Sequence, residues 1–129
     1  MNFMGTTPAG RPATEEFEGD WRMVSCIMDG KPLDQSLMKW VKRVTKGNVS
    51  TVYAGPQTMM RVEFTSDSSQ SPMTIDYVHT AGAAKGKAQS GIYEWDGEVL
   101  RICVSAPGAP RPTTFEYQPG GSLTEWKRP

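Results

Sequence analysis

A chain of 129 residues with 13 glycines and 10 prolines has the size of one domain and the composition of many short elements joined by turns. Fourteen basic residues balance fourteen acidic ones, so no long-range field draws the chain to nucleic acid or to an anionic membrane surface, and no nucleic-acid partner is expected. No stretch approaches the ~20 apolar residues of a membrane span. Residues 1–13 lack the basic start and apolar run of a signal peptide, so a cytoplasmic setting is expected.

Residues 1–15 carry Gly5, Thr6, Thr7, Pro8, Gly10 and Pro12 and little to bury; they read as a disordered leader ahead of a single domain over 16–129. Gly19-Asp20-Trp21 enters a first strand over 20–28 that ends at the turn signal Asp29-Gly30. Strict alternation puts Trp21, Met23, Ser25 and Ile27 on one face, and Arg22, Val24, Cys26 and Met28 on the other. Both faces are largely apolar, so the outer one is expected to be covered by a neighbouring element or a partner. Leu33, Leu37, Trp40 and Val41 then recur at helical spacing, and Asp34 is a fitting N-cap for a short amphipathic helix over 34–40.

Strands follow over 41–45, 49–53, 58–65 and 74–80. In the third of these Thr58, Met60, Val62 and Phe64 face in, while Met59, Arg61, Glu63 and Thr65 face out. Strands over 90–95 and 98–104 flank Asp96-Gly97, a two-residue hairpin signal that sets Trp95 opposite Glu98, Tyr93 opposite Leu100 and Gly91 opposite Ile102. Gly91 leaves space there for a bulge or a recess in a cavity wall. A closing hairpin is expected over 113–117 and 123–128, turning at Pro119-Gly120-Gly121. Eight to nine short strands, with no sustained helices between them, make an all-β antiparallel meander that closes into a small barrel. In a closed barrel the last strand meets the first, and Arg128 can lay its guanidinium across the Trp21 indole. Gly19, Trp21 and Arg128 are therefore the expected structural floor.

Gly19-x-Trp21 with a terminal basic residue is similar to the lipocalin and calycin signature. The ordered series Gly19-Asp20-Trp21-Arg22-Met23-Val24, Asp29-Gly30-Lys31-Pro32-Leu33, Pro72-Met73-Thr74-Ile75-Asp76, Gly91 through Cys103, Arg111-Pro112-Thr113-Thr114-Phe115 and Lys127-Arg128 resembles an uncharacterised bacterial lipocalin-like domain family common in Planctomycetes. The resemblance spans about 17–128. It implies a lipocalin-like barrel and carries no established activity or ligand with it.

The residues that carry chemistry are sparse. His79 is the single histidine; it shares a strand face with Ile75 and Tyr77, while Asp76 points the other way, so an Asp–His pair is geometrically poor. No Gly-x-Ser-x-Gly elbow accompanies it, and neither cysteine sits at zinc-ligand spacing. No enzyme, metal or cofactor is expected. Cys26 and Cys103 are expected as buried free thiols, with a disulfide between two strands as the alternative. Asp76 is expected to pair with Arg61, Arg101 or Arg111 across the ladder. Lys39, Lys42, Arg43 and Lys46 read as a solvated basic face. Met23, Met28, Met38, Met59 and Met60 suit either ordinary core filling or an adaptable apolar pocket.

The leading expectation is a non-enzymatic barrel that binds a small apolar molecule. Met60, Phe64, Tyr93, Leu100, Ile102 and Trp126 would line its cavity, and Leu33, Leu37 and Trp40 would form a lid or portal, or simply seal the core. The alternative is a solid barrel whose outer face, with Met59 and the first strand, binds another protein.

Overall fold

The structure, a computed structural model, describes residues 15–129; the leader expected over 1–15 lies outside the described residues except for Glu15, which begins a short 3-10 turn, Glu15–Phe17. Nine strands follow: β1 (Gly19–Met28), β2 (Lys31–Pro32), β3 (Val41–Lys46), β4 (Val49–Ala54), β5 (Gln57–Asp67), β6 (Met73–Gly82), β7 (Ala88–Asp96), β8 (Val99–Val104) and β9 (Ser122–Lys127). All neighbouring pairs are antiparallel. Sequential strands from β3 to β9 hydrogen-bond in order, β1 joins β3 on one side and β9 on the other, and β2 is a short extra strand on β1. The result is a closed eight-stranded meander barrel with no long edge left unpaired.

Closure follows from inward alternation. Trp21, Val41, Val52, Val62, Phe64, Ile75, Tyr77, Tyr93, Leu100, Ile102, Val104 and Trp126 form one buried cluster with Phe17. One end is a sealed floor. Phe17 inserts its ring edge-on against Phe64 at 5.3 Å and Tyr93 at 5.1 Å. Trp21 donates its indole N–H to the Phe17 carbonyl at 2.9 Å, and the Arg128 guanidinium lies 4.1 Å from the Trp21 ring centroid. Arg128 also donates to the carbonyls of Glu16 and Glu18, which ties the last residues of the chain to the segment leading into the first strand. The opposite end carries the 29–40, 55–56, 83–87 and 105–121 connections.

Four sequence expectations change. The first strand does not alternate throughout: Met23 pairs with Trp126 but Ser25 pairs with Glu125, so Val24 is an extra residue in a β-bulge. Beyond the bulge the faces exchange. Cys26 joins the inward row opposite Thr124, while Ser25 and Ile27 turn outward with Glu125 and Leu123.

The helix contracts to a single turn, Gln35–Met38, which follows β2. Asp34 caps it by accepting from the Ser36 N–H and hydroxyl, but β3 begins at Val41 and leaves no room for a second turn. No residue of that turn is buried.

The β7–β8 hairpin turns at Gly97-Glu98, with Gly97 at φ +60°, so Asp96 pairs with Val99, Tyr93 with Ile102 and Gly91 with Val104. Glycine at the first central position of the turn accounts for the slip. Each partner moves by two residues, so the faces stay as expected. Gly91 marks a close approach and no recess: a Cβ there would stand 2.7 Å from the Cys103 carbonyl oxygen.

Residues 113–117 form no strand. β8 pairs directly with β9, and the 105–121 connection packs over the outer wall, where the Glu116 carbonyl accepts from the Cys103 thiol and the Tyr117 hydroxyl accepts from the Gly30 N–H. Arg111 holds this connection in place: its guanidinium donates to both Asp76 carboxylate oxygens, at 2.8 and 3.1 Å, and to the carbonyls of Ile75 and Gly91.

Candidate functional site

The barrel interior is filled by aromatic and branched side chains except for one polar patch. It comprises Arg43 on β3, Ser50 on β4, and Tyr77 and His79 on β6, with Gln89 of β7 beside His79. Arg43 stands in register with Trp21 and Tyr77 with Phe64, so the patch begins beside the floor and runs along β6 toward the other end. β3 alternates Val41, Arg43 and Thr45 inward against Lys42 and Lys46 outward. Arg43 is therefore only 5% exposed, a correction to the solvated basic face expected for Lys39, Lys42, Arg43 and Lys46. The signal was present in the alternation itself.

Arg43 Nε donates to the Ser50 hydroxyl at 2.6 Å, and Nη2 donates to the Tyr77 hydroxyl at 2.8 Å. Its guanidinium carbon lies 5.3 Å from the Trp126 ring centroid and 5.7 Å from that of Tyr77. Ser50 shares a further hydrogen bond with Thr45 at 3.0 Å. These are neutral partners. Next along β6, the His79 ring meets Tyr77 edge-on at 6.3 Å, and its Nε2 lies 2.6 Å from Gln89 Oε1. Gln89 donates its amide N–H to the Ser105 carbonyl, so its Oε1 faces His79 and the imidazole must donate from Nε2. His79 Nδ1 is then a buried atom with no hydrogen-bond partner.

The expected cavity-lining residues separate along the barrel axis. Phe64 and Tyr93 belong to the floor through Phe17, and Leu100 pairs with Trp95 and Trp126 near the same end. Burial and the nearby Glu16 charge push the Tyr93 phenol well above its ordinary value, and its hydroxyl lies beside Ser66 without closing a hydrogen bond. Ile102 pairs with Tyr93 and Thr124 at mid-height. The Trp126 ring lies against the Arg43 guanidinium, and Met60 is half-buried opposite Val52. The expected lid residues also separate. Leu33 is half-buried against the core, whereas Leu37 and Trp40 are 55% and 62% exposed and cover nothing.

A groove of about 570 Å³ runs along the outer wall, where β1 leaves β3 and the 31–38 segment crosses it. Val24, Ile27, Leu33, Met38, Phe115 and Leu123 line it. At one side Arg101 is bound by Glu94 and by Glu125, with the Arg101–Glu125 contacts at 2.7–2.8 Å, and Ser25 donates to Glu125 at 2.7 Å. The Ser25 hydrogen bond first, and then Arg101, hold the Glu125 carboxyl below its ordinary value. Both cysteines are free, buried and on opposite faces of the sheet; burial raises both thiols, and the Asp29 charge adds to the shift at Cys26.

His79 has a glutamine for a partner, and the Asp76 carboxylate is engaged by Arg111 on the outer face. Among the described residues no three His, Cys, Asp or Glu side chains gather in a metal-binding arrangement, and no helix is long and apolar enough to cross a membrane. No protein-family model, curated protein or solved structure matches the chain.

Proposed function

We propose that this chain is a non-enzymatic binding protein of the lipocalin-like kind that holds one small, largely apolar molecule in the barrel interior beside Arg43. The observation that carries this reading is a cation with unspent hydrogen-bonding capacity in the interior. Arg43 is only 5% exposed, and its Nη1 has no hydrogen-bond partner among the described residues. Half-buried Met23, Met60 and Leu33 pack against the core, and unbranched methionines repack readily around an incoming apolar surface.

The test is fluorescence titration with N-phenyl-1-naphthylamine, a neutral apolar probe. The expected result is saturable, one-to-one quenching of tryptophan emission that survives Trp40→Phe, because the quenched indole is the interior Trp126. Absence of saturation removes the reading. Quenching abolished by Trp40→Phe moves the site to the outer surface and removes it as well.

A second reading, a module that docks another protein, draws on a specific observation: Val24 is exposed in the outer groove, and Met28, Leu37, Trp40, Met59 and Val78 are exposed large apolar side chains. It predicts self-association or a stable complex that Trp40→Ser weakens. A monodisperse monomer over a wide concentration range, with no complex formed, counts against it.

A further inference from the structure

Resting on the binding reading above, we infer that the interior molecule carries an anionic head, a carboxylate, and that Arg43 is its anchor, with the Tyr77 hydroxyl as second donor. The argument is one of charge balance and donor count. Arg43 is the only arginine buried among the described residues. The more exposed arginines Arg101 and Arg111 each have carboxylates: Glu94, Asp96 and Glu125 for the first, Asp76 for the second. The guanidinium with least access to water is thus the one left with only neutral partners. Residues 1–14 contain no Asp or Glu, so that segment supplies no carboxylate side chain either.

Burying an ion without a counter-ion is unfavourable by several kcal/mol even after relaxation, and breaking a buried ion pair is strongly destabilising. The faces of Trp126 and Tyr77 recover part of that through cation–π attraction, typically about 1–2 kcal/mol. They do not use the N–H donors. A guanidinium has five of these in a planar fork, and Arg43 spends one on Ser50 and one on Tyr77.

Tyr77 adds to the imbalance. Its oxygen accepts from Arg43 Nη2, which leaves its own O–H free to donate. Ser50 already accepts the Arg43 Nε–H and shares a second hydrogen bond with Thr45. Two unspent donors, Arg43 Nη1 and the Tyr77 O–H, therefore belong to one hydrogen-bonded pair with no acceptor for either among the described residues. That arrangement matches a planar carboxylate, whose two oxygens take one donor each, with the apolar body of the molecule directed at Met60, Met23 and Leu33. His79, the next inward residue on β6, has its Nε2 turned toward Gln89.

The experiment compares dodecanoate with dodecanol, equal in chain length and different in head group, by isothermal titration calorimetry on the full chain. The wild type is expected to bind dodecanoate at least about tenfold more tightly, the range of a hydrogen bond to a charged group, and Arg43→Met is expected to bring the two ligands to equal affinity. Tyr77→Phe is expected to lower the preference by less and to leave dodecanol binding unchanged. Equal affinity of the wild type for both ligands overturns the anionic head while leaving the apolar-binding reading intact. Binding of neither overturns both. Should Arg43→Met fail to fold, the wild-type protein still decides the matter, because the Arg43 Nε–H resonance must shift saturably with dodecanoate and stay in place with dodecanol. An unmoved resonance overturns the anchor.

Discussion

Replacing Trp21 with alanine removes the largest side chain of the floor. The indole is 1% exposed, so the substitution opens a void between Phe17, Trp95 and the Arg128 guanidinium. Truncating a buried tryptophan loses about 3–5 kcal/mol through transfer and cavity terms. The Phe17 carbonyl loses its indole donor, worth about 1 kcal/mol, and the cation–π contact of a partly exposed arginine about 0.5–1 kcal/mol. These terms overlap, and a total of about 4–5 kcal/mol is expected, against a net stability of about 5–15 kcal/mol for a domain of this kind. Urea unfolding monitored by circular dichroism measures it. Trp21→Phe retains most of the ring and should lose about 1–2 kcal/mol, chiefly the hydrogen bond and some volume, whereas Arg128→Ala should lose about 1 kcal/mol. A Trp21→Ala variant within about 1 kcal/mol of wild type, on that same scale, would refute the sealed floor and with it the polarity of the barrel.

Two further predictions concern titration. The Glu125 carboxyl is held below its ordinary value near 4.5 by Ser25 and Arg101, so the folded state favours the ionised form. Its contribution to stability is fully present above that ordinary value and is lost as pH falls through the lowered one. Ser25→Ala combined with Arg101→Gln should therefore flatten the acid limb of a stability-against-pH curve below about pH 4.5, and an unchanged limb would show that the cluster contributes nothing. Cys26 and Cys103 are buried and their thiols are raised, so Ellman's reagent at pH 8 should label neither at an appreciable rate in the native protein and both in urea; fast native labelling would contradict their placement.

The barrel was legible in the sequence because its signals are local and repeated. Gly19-x-Trp21 and Arg128 meet as closure requires, the alternation of β5 and β6 assigns the inward residues, and Asp29-Gly30 adopts the paired positive φ angles of a tight hairpin turn. What escaped reading depends on register and context. The bulge at Val24 has no residue signature; it is set by how β1 must meet β9, and it exchanges the faces of Ser25 and Cys26. The helix over 34–40 had correct spacing and a correct cap, but the start of β3 truncates it to one turn. Arg43 was grouped with its lysine neighbours by charge, although two-residue periodicity on Val41, Arg43 and Thr45 places it inside. Three neighbouring cations dominate a composition window; only the strand period separates the one that faces inward. The polar patch of the interior therefore escaped the composition reading, and with it the buried cation on which the proposed binding site rests.

Nitrogen-15 NMR of the arginine Nε–H and tryptophan indole resonances during a dodecanoate titration tests the interior site most directly. The account predicts saturable shifts at Arg43 and at Trp126, whose ring lies beneath the guanidinium, with Trp21 at the floor and exposed Trp40 unmoved. Shifts at Trp40 and across the outer groove, with Arg43 and Trp126 unchanged, would contradict it and place the functional surface on the outside of the barrel.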